Sequence, residues 1–172
     1  QGGNRQPVRF VVVRDEAKRR QLAEWYLGPW KAYLAGAQSG EIGVGAEKAE
    51  KALRNADHMA ENLHRVPVLV VACAHLDGVH PTDTELGRLS VVGGGSIYPA
   101  IQNALLACRA EGLGCVLTTI LCRREDEVRK LLEIPEPWGT AAAIPIGYPV
   151  GRGHGPITRR PPEELAYADR WK

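Results

Sequence analysis

Pro67 opens the run Val68-Leu-Val-Val-Ala-Cys-Ala74. Its apolar residues do not alternate with polar ones, so neither face of a strand built from them can lie in water. The run is too short for an ordinary helix and is rich in β-branched residues, which predicts a strand covered above and below. A strand of this kind sits inside a sheet that carries other structure on both faces. The rest of the chain must supply those layers, and at 172 residues it is long enough for one such domain, taken as 1–172.

The remaining pattern fits that demand. Arg9–Val13 predicts a second buried strand. Asp15 is a plausible N-cap for a helix carrying Leu22, Trp25, Tyr26 and Trp30, with Pro29 expected to kink or end it. Gln38–Gly45 reads as a loop, and Ala46–His64 as a polar, Ala-rich helix with Leu53 and Leu63 turned inward. His75–Gly95 has few periodic apolar residues and is expected to be a mobile excursion, with a short turn within Leu86–Val92. Ser96 can cap a helix that holds Pro99 in its first turn and presents Ile97, Ile101, Leu105 and Cys108 near helical spacing, with Gly112 as its stop. Cys115–Thr119 predicts a strand, Arg123–Leu132 an amphipathic helix, and Thr140–Tyr148 a last strand before a Gly/Pro/Arg-rich tail, 150–172. Strands alternating with helices predict an α/β (α+β) architecture, a three-layer mixed β-sheet, with parallel and antiparallel pairs, flanked by helices.

Several function classes drop out. With 44% apolar residues the chain is not disordered, and a net charge of +2 gives no general basic face for nucleic acid. No apolar run approaches the ~20 residues of a membrane span. The four cysteines form no CxxC pair, so free thiols in a reducing compartment, the cytoplasm, are expected, with no metal site. Gly93-Gly94-Gly95 lacks the Gly-Lys-Ser/Thr ending of a P-loop and the spacing of a dinucleotide fingerprint. Gly151–Gly155 is followed by no apolar helix. No HExxH, no GxSxG and no cysteine–histidine pair occurs, so no side chain is assigned as a catalytic residue. Any enzymatic chemistry would belong to a bound cofactor.

Four segments, in order, carry a resemblance. GGGSIYPAIQNALLACRAEGLGCVLTT, from Gly93 to Thr119, closely resembles the flavin-facing helix and following strand of the FMN-dependent nitroreductase family. GGNRQPVRFVVV, from Gly2 to Val13, resembles the family's Asn-x-Gln-Pro segment and first strand. AAAIPIGYP, from Ala141 to Pro149, resembles its last core strand, and RRPPEELAYADRW, from Arg159 to Trp171, its C-terminal tail.

The resemblance implies a nitroreductase-like fold and a homodimer with FMN at the interface, the tail packing on the partner subunit. It implies that Leu117, Thr118, Thr119 and Ile120 lie against the flavin ring, that Gln1, Gly3 and Asn4 contact the flavin from the N-terminal side, and that Arg159 and Arg160 reach its phosphate. Gln1 stands where the family commonly has Ser, and Val8 where it commonly has Trp. The family's arginine-bearing first helix would precede Gln1, and a chain without it is expected to grip FMN less tightly. The implied activity is transfer of hydride from NADH or NADPH to a nitro, quinone or similar electron-poor small molecule by a ping-pong cycle. The alternatives are a non-catalytic or degenerate flavin-binding protein, and another flavin enzyme of the same fold, flavin-cleaving or dehalogenating.

Overall fold

The computed structural model describes residues 2–41, 48–151 and 159–171. Gln1, residues 42–45 of the expected loop, residues 46–47 of the expected helix, and residues 152–158 and Lys172 of the tail lie outside them. The elements are β1 (Val8–Val13), α1 (Glu16–Ser39), α2 (Lys48–Glu61), β2 (Val68–His75), α3 (Tyr98–Ala110), β3 (Gly114–Cys115), α4 (Glu125–Leu132) and β4 (Trp138–Gly147). Single 3-10 turns occur at Gly2–Asn4, Leu63–Arg65, Leu76–Gly78, Ile120–Arg124 and Pro162–Glu164.

The four strands form one sheet in the order β1-β2-β4-β3. Every described neighbouring pair is antiparallel, so the mixture of parallel and antiparallel pairing anticipated from the sequence does not occur among these strands. The three layers are present. Leu69, Val71 and Cys73 of β2 share a core with Leu22, Tyr26 and Trp30 of α1 and with Val128 of α4. Val70, Ala72 and Ala74 share the opposite core with Ile97, with Ile101 of α3 and with Ala142 and Ile144 of β4. The strand with no alternation is thus the one buried on both faces, all six residues from Leu69 to Ala74 being buried.

β1 departs from expectation. It pairs only with β2 and forms the edge of the described sheet, and Phe10 and Val12 stay 40% and 57% exposed. Its β-branched sequence reports strand propensity and not burial. α1 also departs, running through Pro29 to Ser39. Proline removes one internal hydrogen bond. Here Tyr26 and Trp30 are buried on either side of it, and the Trp30 indole N–H donates to Asp57 of α2 at 2.8 Å. That tertiary packing holds the helix together across the gap. Asp15 caps α1 as expected, its carboxylate accepting from the Lys18 amide at 2.8 Å.

At α3 the expected Ser96 cap is absent. The N-cap position is Ile97, and the carbonyl of Gly94 accepts from the amides of both Ile97 and Tyr98 at 2.9 Å. A turn through the glycine triad therefore satisfies donors that a serine side chain would otherwise take. Gly94 is required there by close approach: a Cβ would fall 2.3 Å from the Tyr98 ring, whose hydroxyl donates to the Ala141 carbonyl at 3.4 Å. Gly112 does end the helix, with φ of 72° and the Leu113 amide bonded back to the Cys108 carbonyl at 2.8 Å.

The excursion between β2 and α3 is organised by one side chain. Asp83 is only 3% exposed and accepts from the Ser90 hydroxyl at 2.7 Å, the Val91 amide at 2.9 Å and the Arg88 guanidinium at 2.8 Å. A sequence scan for apolar periodicity does not register such a hub. These contacts, led by the Ser90 hydroxyl and the Val91 amide, hold the Asp83 carboxyl down to about 2. Because the folded value lies below the ordinary ~3.9, the stabilisation is complete above that ordinary value and is lost as pH falls through the folded one. Acid titration followed by amide exchange at Val91 should show the 83–91 segment opening between about pH 4 and pH 2, and Asp83→Asn should show it open already at neutral pH. Gly94→Ala should cost ~1–3 kcal/mol of stability through displacement of Tyr98, read by chemical denaturation.

Candidate functional site

The segment after Gly112 is where the sheet edge becomes a potential binding surface. The expected strand Cys115–Thr119 is reduced to Gly114–Cys115, followed by an isolated bridge between Thr118 and Ala143. The register gives the reason. Gly114 pairs with Gly147 and Cys115 with Ile146, so the next position sets Val116 opposite Pro145. Proline has no N–H to donate, and the ladder lapses at that pair. It resumes at Thr118, whose amide donates to the Ala143 carbonyl at 2.9 Å and whose carbonyl accepts from the Ala143 amide at 2.8 Å.

That bridge sorts the four sequence-predicted ring contacts. Thr118 is committed inward. Its backbone is spent on Ala143, and its hydroxyl lies 3.0 Å from the hydroxyl of Tyr26 in α1. Burial raises the Tyr26 phenol above its ordinary range, partly offset by the Thr118 contact. In an antiparallel ladder the residues flanking a hydrogen-bonded pair turn their amides away from the partner strand. Leu117 and Thr119 therefore present their N–H groups along the outer edge, and neither amide has a protein partner among the described residues. Ile120 begins the turn into α4, its amide 3.4 Å from the Thr118 hydroxyl.

The N-terminal candidates occupy an unusual turn. Gly3, Asn4 and Gln6 have φ of 66°, 50° and 51°. Asparagine tolerates the left-handed region better than most residues, and the Asn4 side-chain oxygen accepts from the Gln6 side-chain NH2 at 3.0 Å. Arg9 braces the turn, donating to the carbonyls of Gln6 and Val8 at 3.0 and 2.8 Å while stacking over Trp138. Asn4 is exposed, with its side-chain NH2 pointing to no described protein acceptor.

Strand pairing relates the two segments. Val8 lies opposite Ala74, and Ala74 opposite Gly139. The chain after β3 runs along β4 toward the same end, where the Cys122 thiol reaches the Thr140 carbonyl at 3.5 Å. The Asn4 turn and the Leu117–Ile120 segment thus approach one end of the sheet from its two edges, three strand spacings or about 14 Å apart. Arg159 and Arg160 are exposed and follow residues that lie outside the description. Two of the clefts among the described residues lie beside these segments. One of about 450 Å³ is bordered by Met59, Cys115 and Tyr148, and one of about 230 Å³ by Arg5, Arg9 and His75. Neither includes Asn4, residues 117–120 or the tail arginines. The arrangement is a surface with outward donors at two edges, which suits a flat, hydrogen-bonding ring. No described helix is long and apolar enough to cross a membrane.

Residues 1–148 match the model of the nitroreductase family. Among solved structures, an iodotyrosine deiodinase bound to FMN and 3-iodo-L-tyrosine superposes with a TM-score of 0.67 at 23% identity, over 94% of this chain and 76% of that one. NfrA2 of B. megaterium superposes with a TM-score of 0.65 at 19% identity, over 98% of this chain and 59% of that one. The NADPH:FMN oxidoreductase of Vibrio harveyi, complexed with NAD+, gives 0.62 at 19% identity, over 97% and 60%. This chain therefore spans about three fifths of the length of the last two proteins.

The inward role of Thr118 is directly testable. Thr118→Val and Tyr26→Phe should each lower stability by ~0.5–1.5 kcal/mol, and the double variant should lose less than the sum, because both changes remove one contact. Thr119→Val, with an exposed side chain, should leave the denaturation midpoint unchanged.

Proposed function

We propose, from the premise that the chain belongs to the nitroreductase family, that it binds FMN and transfers hydride from NADH or NADPH to an electron-poor small molecule such as a nitro compound or a quinone. The single observation that carries this reading is the pair of amides at Leu117 and Thr119 that have no partner among the described residues, set on the sheet edge by the inward anchoring of Thr118. A flavin ring needs donors directed at its heteroatoms, and a backbone amide at the redox-active end tunes the ring without a titrating side chain. FMN, when bound, supplies the hydride chemistry. The protein's part is to hold and orient it: Leu117 and Thr119 by their amides, Ile120 by its position at the start of the following turn, Thr118 by keeping these residues in register. Gly3 and Asn4, with Gln1 ahead of them, contribute from the N-terminal side.

Arg159 and Arg160 hold the phosphate in this reading. Guanidinium groups suit phosphate oxygens geometrically, and the charge strengthens each hydrogen bond. The reading extends to a homodimer. Leu165 and Trp171 are 63% and 86% exposed, and the rings of Tyr167 and Trp171 stack edge to face with centroids 5.1 Å apart. An exposed aromatic pair of this kind is a ready anchor for a partner subunit. The free cysteines suit a reducing compartment such as the cytoplasm.

Calorimetric titration with FMN, followed by anaerobic addition of NADH or NADPH, tests the function. Saturable FMN binding and bleaching of the bound flavin by the nucleotide are expected. A chain that binds no flavin overturns the reading. Arg159→Ala should weaken FMN by roughly ten- to one-hundred-fold, the equivalent of ~1.5–3 kcal/mol for a charged hydrogen bond, while riboflavin, lacking the phosphate, should bind both proteins alike. Removal of residues 161–172 should shift the mass measured by light scattering from dimer toward monomer.

A further inference from the structure

Cys108 and Cys115 lie on either side of the Gly112 turn, one in the last turns of α3 and the other at the end of β3. The turn folds the chain back sharply, the Leu113 amide bonding to the carbonyl of Cys108 itself at 2.8 Å. β3 consequently starts beside the helix it has just left. The Cys115 thiol points at that helix and reaches the Leu105 carbonyl at 3.7 Å. In an α-helix the carbonyl of residue i lies against the turn that carries residues i+3 and i+4. The Cys115 sulfur therefore sits at the level of Cys108, three residues beyond Leu105. Both thiols are free and half-buried, and Cys115 borders the open groove of about 450 Å³.

We propose that Cys108 and Cys115 are a redox-active dithiol that closes to a disulfide when the protein meets hydrogen peroxide. The thiolate of one cysteine attacks the peroxide oxygen, the O–O bond breaks, and a sulfenic acid and hydroxide form. The second thiol attacks that sulfur, forming the S–S bond and releasing water. Two thiols are oxidised, one peroxide is reduced, and two water molecules result. The bridge ties the end of α3 to the strand that leads into Leu117–Ile120.

Two further observations support the pairing. Burial raises the Cys115 thiol above its ordinary range, and the neighbouring Cys108 thiol raises it further, so the two groups sense each other. Cys73 and Cys122 also sense each other, but Cys73 is closed to peroxide: it is 2% exposed, and burial first, with Glu125 and Cys122 beyond it, pushes its thiol up to about 11.

The whole chain is treated with hydrogen peroxide, then denatured, alkylated and digested with trypsin without reductant. The number of alkylated thiols should fall from the four free cysteines to half that number. Leu89–Arg109 should be linked to Ala110–Arg123, and dithiothreitol should release the link. Because Ala110–Arg123 also contains Cys122, Cys122→Ser must keep the link, whereas Cys108→Ser and Cys115→Ser must each abolish it. A link that survives Cys115→Ser but not Cys122→Ser overturns the proposal. So does wild-type protein that gains sulfinic acid at either cysteine with no link formed.

Discussion

The antiparallel pairing of β2 with β4 is the constraint from which the rest of the molecule follows. It runs from Val68 opposite Ile146 to His75 opposite Trp138, with one irregularity between Ala72 and Cys73. Both strands lie inside the described sheet, so their main-chain hydrogen bonds are shielded and their side chains enter two cores at once. Burying the apolar side chains of β2 is favourable by ~1.5–3 kcal/mol for each large one, but only if helices cover both faces. α1 and α4 take one face and α3 the other. The pairing also fixes which residues of the edge segments meet β4, and so which are left to face outward.

Pro145 shows how a core strand shapes the edge beside it. Toward β2 it pairs opposite Leu69, where its missing N–H disrupts nothing, because that side of the residue is not hydrogen-bonded to β2. Toward the outer edge the same residue faces Val116 and interrupts the ladder. A full strand there would hold every second amide in pairing and leave a stiff, regular edge. The interruption leaves one inward clamp at Thr118, fixed by Ala143 and by the Tyr26 hydroxyl. The residues on either side of that clamp acquire outward amides as a consequence of the period of two.

The parts of this arrangement legible in the sequence are those set by local chemistry. Val68–Ala74 announces its double burial through unbroken apolarity, Asp15 its cap, and Gly112 the helix stop. The parts that were not legible depend on pairings between distant positions. β-branched residues in Arg9–Val13 suit a strand, but only the strand order shows that it lies at an edge with Phe10 and Val12 exposed. The run Cys115–Thr119 looks continuous until its register places Val116 against Pro145, some thirty residues away in the chain. Asp83 reads as one acid among many, and its role appears only when Arg88, Ser90 and Val91 fold around it. The candidate site divides the same way. Thr118 and Thr119 are indistinguishable as neighbouring threonines, yet one is a structural anchor and the other faces out.

That division bears on how such an edge can hold a ring. An amide is a useful donor only if its direction is fixed before the ligand arrives, since ordering it afterwards costs ~1–2 kcal/mol per residue of backbone freedom. The Thr118 clamp supplies the fixing from within, through two main-chain bonds and one hydroxyl contact to a buried tyrosine. The Asn4 turn is fixed by a different route: its left-handed backbone is braced by Arg9, which is itself held over Trp138. The two edges are thus preorganised independently, each by contacts that lie within this chain. Neither the cleft beside Met59, Cys115 and Tyr148 nor the one beside Arg5, Arg9 and His75 contains Asn4 or residues 117–120. A ligand held at both edges would therefore meet two sets of donors whose directions are set before it arrives.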